Sequence, residues 1–416
     1  MSGHALDHDG PRRLLDDPDL GRVLSALAGE GEATRVVGGS VRDALLGRVG
    51  DDIDLTTTLR PEAVIARAAR NGLRAVPTGI EHGTVTLLAG RKTFEVTTLR
   101  EDVETDGRHA VVRFGRDFAL DAQRRDFTIN ALSLAPDGTL HDTTGGVADL
   151  RAGRVRFIGD APTRIREDAL RVLRFFRFQA RYGGETPDPE GLAACIAARG
   201  ALDGLSRERV RAEFLKLLMA PGAVAALTTL SETGLLMRLT GGIGDLGRFA
   251  RSLADASGGA SRPRDIDRLA VLAVFSQADA ERLRLGLRLS KAEHAALIGY
   301  ARALIALHGR ASIDGPEMRR LAAAHGTAGL SLAARATRGE PRPTWTPAAC
   351  AYLADLIAGI AAPPVLPIAG ADLVARGVPP GPEIGRRLAE TGALWLAQGC
   401  PEGEAAREAL LQRATA

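Results

Sequence analysis

Two short stretches constrain this chain more than any other feature of it. Gly38-Gly39-Ser40-Val41-Arg42-Asp43 follows the apolar run 33–37, and Asp52-Ile53-Asp54 comes shortly after. An apolar run that stops at a glycine pair predicts a strand entering a tight turn, with a helix starting over 41–46. Residues i and i+2 of a strand point the same way. Asp52 and Asp54 therefore share one face, and Ile53 points to the other, apolar side. Two parallel carboxylates offer hard oxygen ligands that suit two magnesium ions. Gly38 and Gly39 let backbone approach a phosphate closely, and the helix start at Ser40 adds a positive dipole end. Arg42 supplies a charged contact to a triphosphate. No G-x-x-x-x-G-K-[ST] loop occurs, so this is a different phosphate cradle from the P-loop. A lone D-x-D is more often a pair of solvated acids. Glycine turn and acid pair in order, each at a strand end, shift the balance toward a metal–nucleotide site. Glu95, in the alternating strand Phe94-Glu95-Val96-Thr97-Thr98, is a third carboxylate if its strand lies beside the first pair. Otherwise it is an exposed strand-face acid, and residue patterning leaves both readings open.

The hydrophobic period changes along the chain. Pro61 opens a helix over 61–70. Segments 83–88 and 92–99 alternate like a hairpin joined at Ala89-Gly90-Arg91. Residues 101–115 are polar and read as a loop. Past about residue 160 the pattern is helical: Ala169, Val172, Leu173, Phe176 and Ala180 form an apolar stripe at helical spacing. Helical patterning continues over 210–219, 224–236, 265–335 and 347–412, interrupted by Gly/Ser/Pro-rich stretches at 256–264 and 338–347. The expected architecture is α+β: an N-terminal domain with a mixed β-sheet over 20–150, then all-helical domains over 151–240 and 241–416. With 416 residues, 25 % charged and 45 % hydrophobic, the composition is that of a globular chain. Three scattered cysteines build neither a disulfide framework nor a zinc site and point to a reducing cytoplasm. The polar, acid-bearing N-terminus lacks the pattern of a signal peptide, and no apolar run is long and clean enough for a bilayer span.

All but three of the 54 basic residues are arginine. Much of that is compositional, but from 151 to 181 nine arginines face only Asp160, Glu167 and Asp168. Such a basic block suits a polyanionic substrate. Within it, Asp168 and Arg171 lie at i, i+3 on the predicted helix. They form either a plain helix ion pair or a reading device. Arg174 and Arg177 extend the spacing with no following acids, a row of unpaired cations for phosphate. As a reader, an aspartate accepts from an exocyclic amine and an arginine donates to a ring nitrogen, which fits cytosine and adenine. Uracil and guanine present the reverse pattern, at a cost of about 1–3 kcal/mol per unpaired group.

Taken together, G-G-S-V-R-D, D-x-D, R-R-D-F-T-I-N-A-L (124–132) and E-D-x-L-R-x-L-R-x-x-R-F (167–178) resemble the class II tRNA nucleotidyltransferases. These are the bacterial CCA-adding enzymes and their poly(A) polymerase relatives. Gly145-Gly146 with Asp149-Leu150, and Leu205-Ser206-Arg207-Glu208-Arg209 with Glu213, extend the match, which spans roughly 33–240. The resemblance implies a nucleotidyltransferase head followed by a helical neck, body and tail. It implies metal ligands at Asp52 and Asp54, with Glu95 as the further catalytic carboxylate. Gly39 and Arg42 match the triphosphate motif, and Arg125, Asp126 and Asn130 the motif that orients sugar and nucleotide. Asp168 and Arg171 match the base-reading pair, Arg174 and Arg177 the adjoining phosphate contacts. Residues 100–113 resemble the family's flexible loop. The implied substrates are CTP and ATP with two Mg2+ ions, the implied partner is the tRNA 3′ end and acceptor region, and no membrane or protein partner is implied. In 370–385 the Gly- and Pro-containing turns offer either phosphate-binding N–H groups or packing alone. The rival readings are a poly(A) polymerase on the same scaffold, a non-catalytic RNA-binding protein, and a small-molecule nucleotidyltransferase. The last would not need the arginine-rich helix or the long helical C-terminal half.

Overall fold

In the computed structural model the described residues are 3–48, 50, 52–105, 110–254 and 264–416. Packing divides the chain into two compact units, Met1–Ala226 and Leu227–Ala416. In the first, strands β1 (Thr34–Val37), β2 (Ile53–Thr57), β3 (Arg74–Gly79), β4 (Thr84–Ala89), β5 (Lys92–Thr98), β8 (Ser133–Leu134) and β9 (Leu140–His141) form one sheet in the order β3-β4-β5-β2-β1-β8-β9. β2 and β5 are parallel and every other neighbouring pair is antiparallel, so the sheet is mixed as expected.

Period-2 alternation gives the sheet two different faces. Val36, Ile53, Leu55, Val85, Leu87, Phe94, Val96 and Leu134 are buried on one side. Helices Pro18–Leu27 and Pro61–Arg70 pack against β4 and β5. Each large apolar side chain so buried stabilises the fold by about 1.5–3 kcal/mol. On the other side, register pairing strings Thr86, Glu95, Asp54, Val37, Ser133 and His141 into one cross-strand row.

The region read as a loop over 101–115 is instead built of strands. β6 (Arg100–Thr105) and β7 (Ala110–Phe114) form a separate antiparallel pair. Its Val and Phe content favours strand over loop despite the charges between them. Residues 106–109 of the expected flexible loop lie outside the described residues.

The predicted amphipathic helix spans Arg171–Tyr182 and buries Val172, Leu173, Phe176 and Ala180 of the stripe, together with Phe175 and Phe178. Phe127 and Phe157, joined by a β-bridge, meet this helix: Phe157 stacks on Phe175 (5.6 Å, 8°) and Phe127 lies 5.3 Å from Phe178. The helix begins later than its stripe suggests. Asp168 is extended (φ −152°, ψ 106°) between it and the helix Ala161–Glu167. Asp168 therefore does not share a helix face with Arg171; a helix end between them was invisible to apolar spacing alone.

The second unit is almost wholly helical. Lys291–Leu307 and Gln277–Leu287 start at capping boxes, Ser290 with Glu293 and Ser276 with Asp279. Gly315–Thr337 breaks at Gly326 (φ 70°, ψ 169°). The only strands among its described residues are a two-residue pair, Ser312–Ile313 with Thr344–Trp345. The expected boundary at 256–264 lies, apart from Arg264, outside the described residues. In the tail, Leu373 and Val378 join Trp395, Leu410 and Leu411 in a small core, which favours the packing reading of that motif. Among the described residues no helix is long and apolar enough to cross a membrane.

Candidate active site

At the end of β1 the backbone turns through Gly38 at φ 69°, a left-handed conformation that glycine adopts without strain. A Cβ there would sit 2.9 Å from Arg125 Nη1, the mobile end of a side chain that could shift, so the backbone conformation is what calls for glycine. The helix Gly39–Leu45 follows at once. Ser40 Oγ donates to the carbonyl of Asp52 (2.9 Å), tying this turn to the residue that leads into β2.

Asp54 lies in β2 directly beside Glu95 in β5, its parallel neighbour. The strand adjacency that Glu95 required is thus present. Burial raises the Asp54 carboxyl above its usual range; Arg125 offsets part of this, and the nearby Asp52 adds to it. Glu95 is likewise raised by burial and by the charge of Asp54. The acids repel one another with incomplete compensation, the electrostatic condition a hard cation relieves. Among the described residues no three His, Cys, Asp or Glu side chains converge on one point to hold an ion.

A cavity of about 480 Å3 opens beside Asp54. It gathers Gly38, Gly39, Arg42, Asp54, Arg125, Asp126, Asn130, Asp168, Arg171 and Arg174, all singled out in the sequence. Ser40, Asp52, Glu95 and Arg177 are not part of its lining. Leu170, Phe178 and Arg209 line it and were not predicted as site residues. Arg209 stood within a motif that carried the family resemblance, and that was its only signal.

The arginines expected to be unpaired are paired. Arg171 Nη1 donates to Glu167 (2.5 Å) and to the Arg164 carbonyl (2.8 Å). Arg174 Nε donates to Asp126 (2.6 Å), and Arg177 Nε to Glu213 (2.5 Å). Glu167 is a near neighbour of Arg171 in the chain, but Asp126 and Glu213 come from distant parts of it, which a local charge count cannot see. The Asp168/Arg171 ion pair does not form either. Asp168 accepts from Arg209 (2.7 Å) and from the Leu170 N–H (3.1 Å). Each member of the pair is anchored by a different partner, and both border the same cavity.

Arg42 is buried, with 5 % of its surface exposed. It donates to Asn130 Oδ1, to both oxygens of Asp43 (3.0 and 3.2 Å) and to the Tyr182 hydroxyl (2.6 Å), while stacking on the Tyr182 ring at 4.0 Å. It is a hub that fixes the glycine turn as much as a surface cation. Asn130 also donates to Asp126 (3.0 Å), so Arg42, Asn130, Asp126 and Arg174 form one continuous polar chain along the cavity wall. Burial alone would raise the Asp126 carboxyl; Arg174, Asn130 and the Phe127 N–H overcome it and hold it below its usual range. Asp121, buried and unanticipated, pairs with Arg124 (2.5 Å) and Arg125 (3.3 Å).

The sequence matches the family model of the poly A polymerase head domain over residues 34–156, and that of a probable RNA and SrmB-binding site of polymerase A over 186–240. Zebrafish (Danio rerio) mitochondrial CCA tRNA nucleotidyltransferase 1 is 40 % identical over 282 residues, 66 % of this chain and 64 % of the relative. The CCA-adding enzyme of Levilactobacillus brevis is 41 % identical over 215 residues, 51 % of this chain and 53 % of the relative. The aligned part of the chain thus spans between half and just under two thirds of these relatives. The crystal structure of the Bacillus stearothermophilus CCA-adding enzyme in complex with CTP superposes with a TM-score of 0.72 at 28 % identity, covering 95 % of this chain and 98 % of that one. The chain thus carries a poly A polymerase head domain over residues 34–156 and is similar to CCA-adding enzymes in sequence over about half to two thirds of its length and in fold over nearly all of it.

Proposed function

We propose that this protein adds CCA to the 3′ end of tRNA without a template, using CTP and ATP and releasing pyrophosphate. One observation carries the reading: a single cavity is bordered both by Asp54, from the acidic row of the sheet, and by Asp168 and Arg171, the base-reading candidates. Similarity to proteins described as CCA-adding enzymes, one of them in complex with CTP, supports it.

In this account the tRNA 3′-hydroxyl attacks the α-phosphorus of the bound nucleotide, and the bond to the pyrophosphate oxygen breaks. Asp52 and Asp54, with Glu95 at their side, hold two divalent cations. Such ions lower the pKa of an attacking hydroxyl and stabilise leaving oxygens. The protein's own part is positioning and charge. The Gly38-Gly39 turn presents backbone to the triphosphate. Arg42, fixed from behind by Asn130 and Tyr182, and Arg174 and Arg177 lower the local negative potential. Arg125, Asp126 and Asn130 orient the sugar. Asp168 accepts from the exocyclic amine of C or A, and Arg171 donates to the ring nitrogen. The domain roles follow: catalysis in 20–150, base selection in 151–240, tRNA binding in 241–416, in a cytoplasmic setting. Supplying tRNA that lacks its last three nucleotides, with CTP and ATP, and sequencing the product ends tests this. Ends restored to CCA are expected. Runs of A point to a poly(A) polymerase, and unchanged ends contradict catalysis.

A further inference from the structure

The acidic row of the sheet does not end at Asp54. Across β1 and β8 it continues through Val37 and Ser133 to His141. Strands lie about 4.8 Å apart, so Ser133 is roughly 10 Å from Asp54 along the row, and His141 roughly 14 Å. Here a second cavity, of about 620 Å3, opens on the same face. Arg35, two residues before Val37 and hence on the same side of β1, borders it with Arg116, Phe118, Ser133 and His141. Ala122 and Ala131, which also line it, pack with Ile158 in a small core.

Its cations differ in how they are held. Arg116 is tied to Glu32 (3.2 Å) and the Gly31 carbonyl. The Arg35 guanidinium lies over the Phe118 ring, 3.9 Å from its centroid; Asp137 acts on it electrostatically, but among the described residues no carboxylate comes within ion-pair distance of it. Asp117, the acid in the lining, is spent capping the helix Phe118–Gln123 through the Ala119 and Leu120 N–H groups (2.7 and 3.3 Å). A guanidinium over an aromatic ring that no carboxylate holds in a contact ion pair is open to a phosphate or a stacked base. In the other direction along the row the neighbour of Glu95 is Thr86, a neutral side chain.

Resting on the function proposed above, we infer that this cavity seats the RNA strand itself: the phosphodiester one or two nucleotides before the reactive 3′-hydroxyl binds Arg35. The row places the cavity one or two nucleotides from the acids. Its arginines suit a polyanion, and it shares no lining residue with the nucleotide cavity, so primer and CTP can bind independently.

The test compares wild type, Arg35→Gln and Arg35→Lys of the full chain. It measures KM for trimmed tRNA, KM for CTP and pyrophosphate inhibition over a range of salt, with thermal unfolding as a check on folding. Arg35→Gln is expected to raise the RNA KM about tenfold and leave the CTP KM and pyrophosphate inhibition within twofold. It is also expected to reduce the salt slope of RNA affinity by about 0.7, the value of one single-strand phosphate contact. Arg35→Lys restores the slope. An unchanged RNA KM and slope in a folded Arg35→Gln variant overturns the inference, as does a change confined to CTP or pyrophosphate. Failure of the wild type to extend tRNA contradicts the functional proposal instead. Fluorescence anisotropy of a short single-stranded RNA on wild type and Arg35→Gln then decides the inference without turnover: equal affinity overturns it.

Discussion

Asp54 and Glu95 stand side by side on parallel neighbouring strands, although the chain runs through a helix and two further strands between them. Each carboxyl is raised by burial and by its acidic neighbours. Their proximity without a balancing cation is the clearest mark of function in the molecule.

Asp54→Ala is expected to abolish nucleotide incorporation while leaving tRNA binding within about threefold of wild type. Its side chain lies on an open face and supports no core packing. Glu95→Gln keeps the shape and removes the charge. If Glu95 shares in holding the cations, incorporation falls by at least about a hundredfold and is partly recovered at high Mg2+. Single-turnover incorporation across a magnesium titration reads both variants.

Arg209→Ala is expected to loosen base choice. Arg209 anchors the Asp168 carboxylate at 2.7 Å; without it that carboxylate loses its fixed orientation. Discrimination against UTP and GTP should fall by about 1–3 kcal/mol, the worth of one mispaired polar group, with a smaller effect on kcat for CTP. Arg171→Ala should do the same more strongly. Comparing kcat/KM for the four nucleotides measures it, and undiminished exclusion of UTP and GTP in both variants contradicts the base-reading account.

Much of this was legible in sequence and some was not. Alternation placed Asp54 on the opposite face from Ile53 and Leu55, and the glycine pair located the turn before Gly39–Leu45, because both depend on neighbours in the chain. The helix Pro61–Arg70 and the strand pair β4/β5 were legible for the same reason. The partners of Arg174 and Arg177 were not. Asp126 and Glu213 are brought to them only by folding, so a count of local charge gave free cations where the structure has ion pairs. The junction at Asp168 was hidden because Ala169 continues the apolar spacing across a helix end. Tyr182 and Asp121, which hold Arg42, Arg124 and Arg125 in place, carry no motif of their own.

Arg174→Ala should destabilise the first unit by about 3–5 kcal/mol near neutral pH, the cost of leaving a buried charge without its partner. The pH dependence has a definite sign. In the wild type the Asp126 carboxyl is held below its usual range, so its contribution is present above the unfolded value of about 3.9 and is lost as pH falls through the lower folded value. In the variant burial prevails and raises the carboxyl. The difference in stability between the two proteins should therefore be largest near neutrality and shrink toward pH 4. Denaturant unfolding at several pH values measures it.

Phe175→Ala should cost about 3–5 kcal/mol. The ring is fully buried and stacks on Phe157, whose bridge partner Phe127 follows Arg125 and Asp126 directly, so the stack fixes the helix Arg171–Tyr182 to that segment. Thermal unfolding checks the loss. A residual enzyme that incorporates CTP and ATP with reduced selectivity would show that this stack also aligns the reader.

The most direct measurement is a structure of the protein with CTP and magnesium bound. The account predicts the triphosphate beside Asp52, Asp54 and the Gly38-Gly39 turn, with the amino edge of cytosine at Asp168 and its ring nitrogen at Arg171. A nucleotide bound outside this cavity, or one whose base faces away from Asp168 and Arg171, would contradict it.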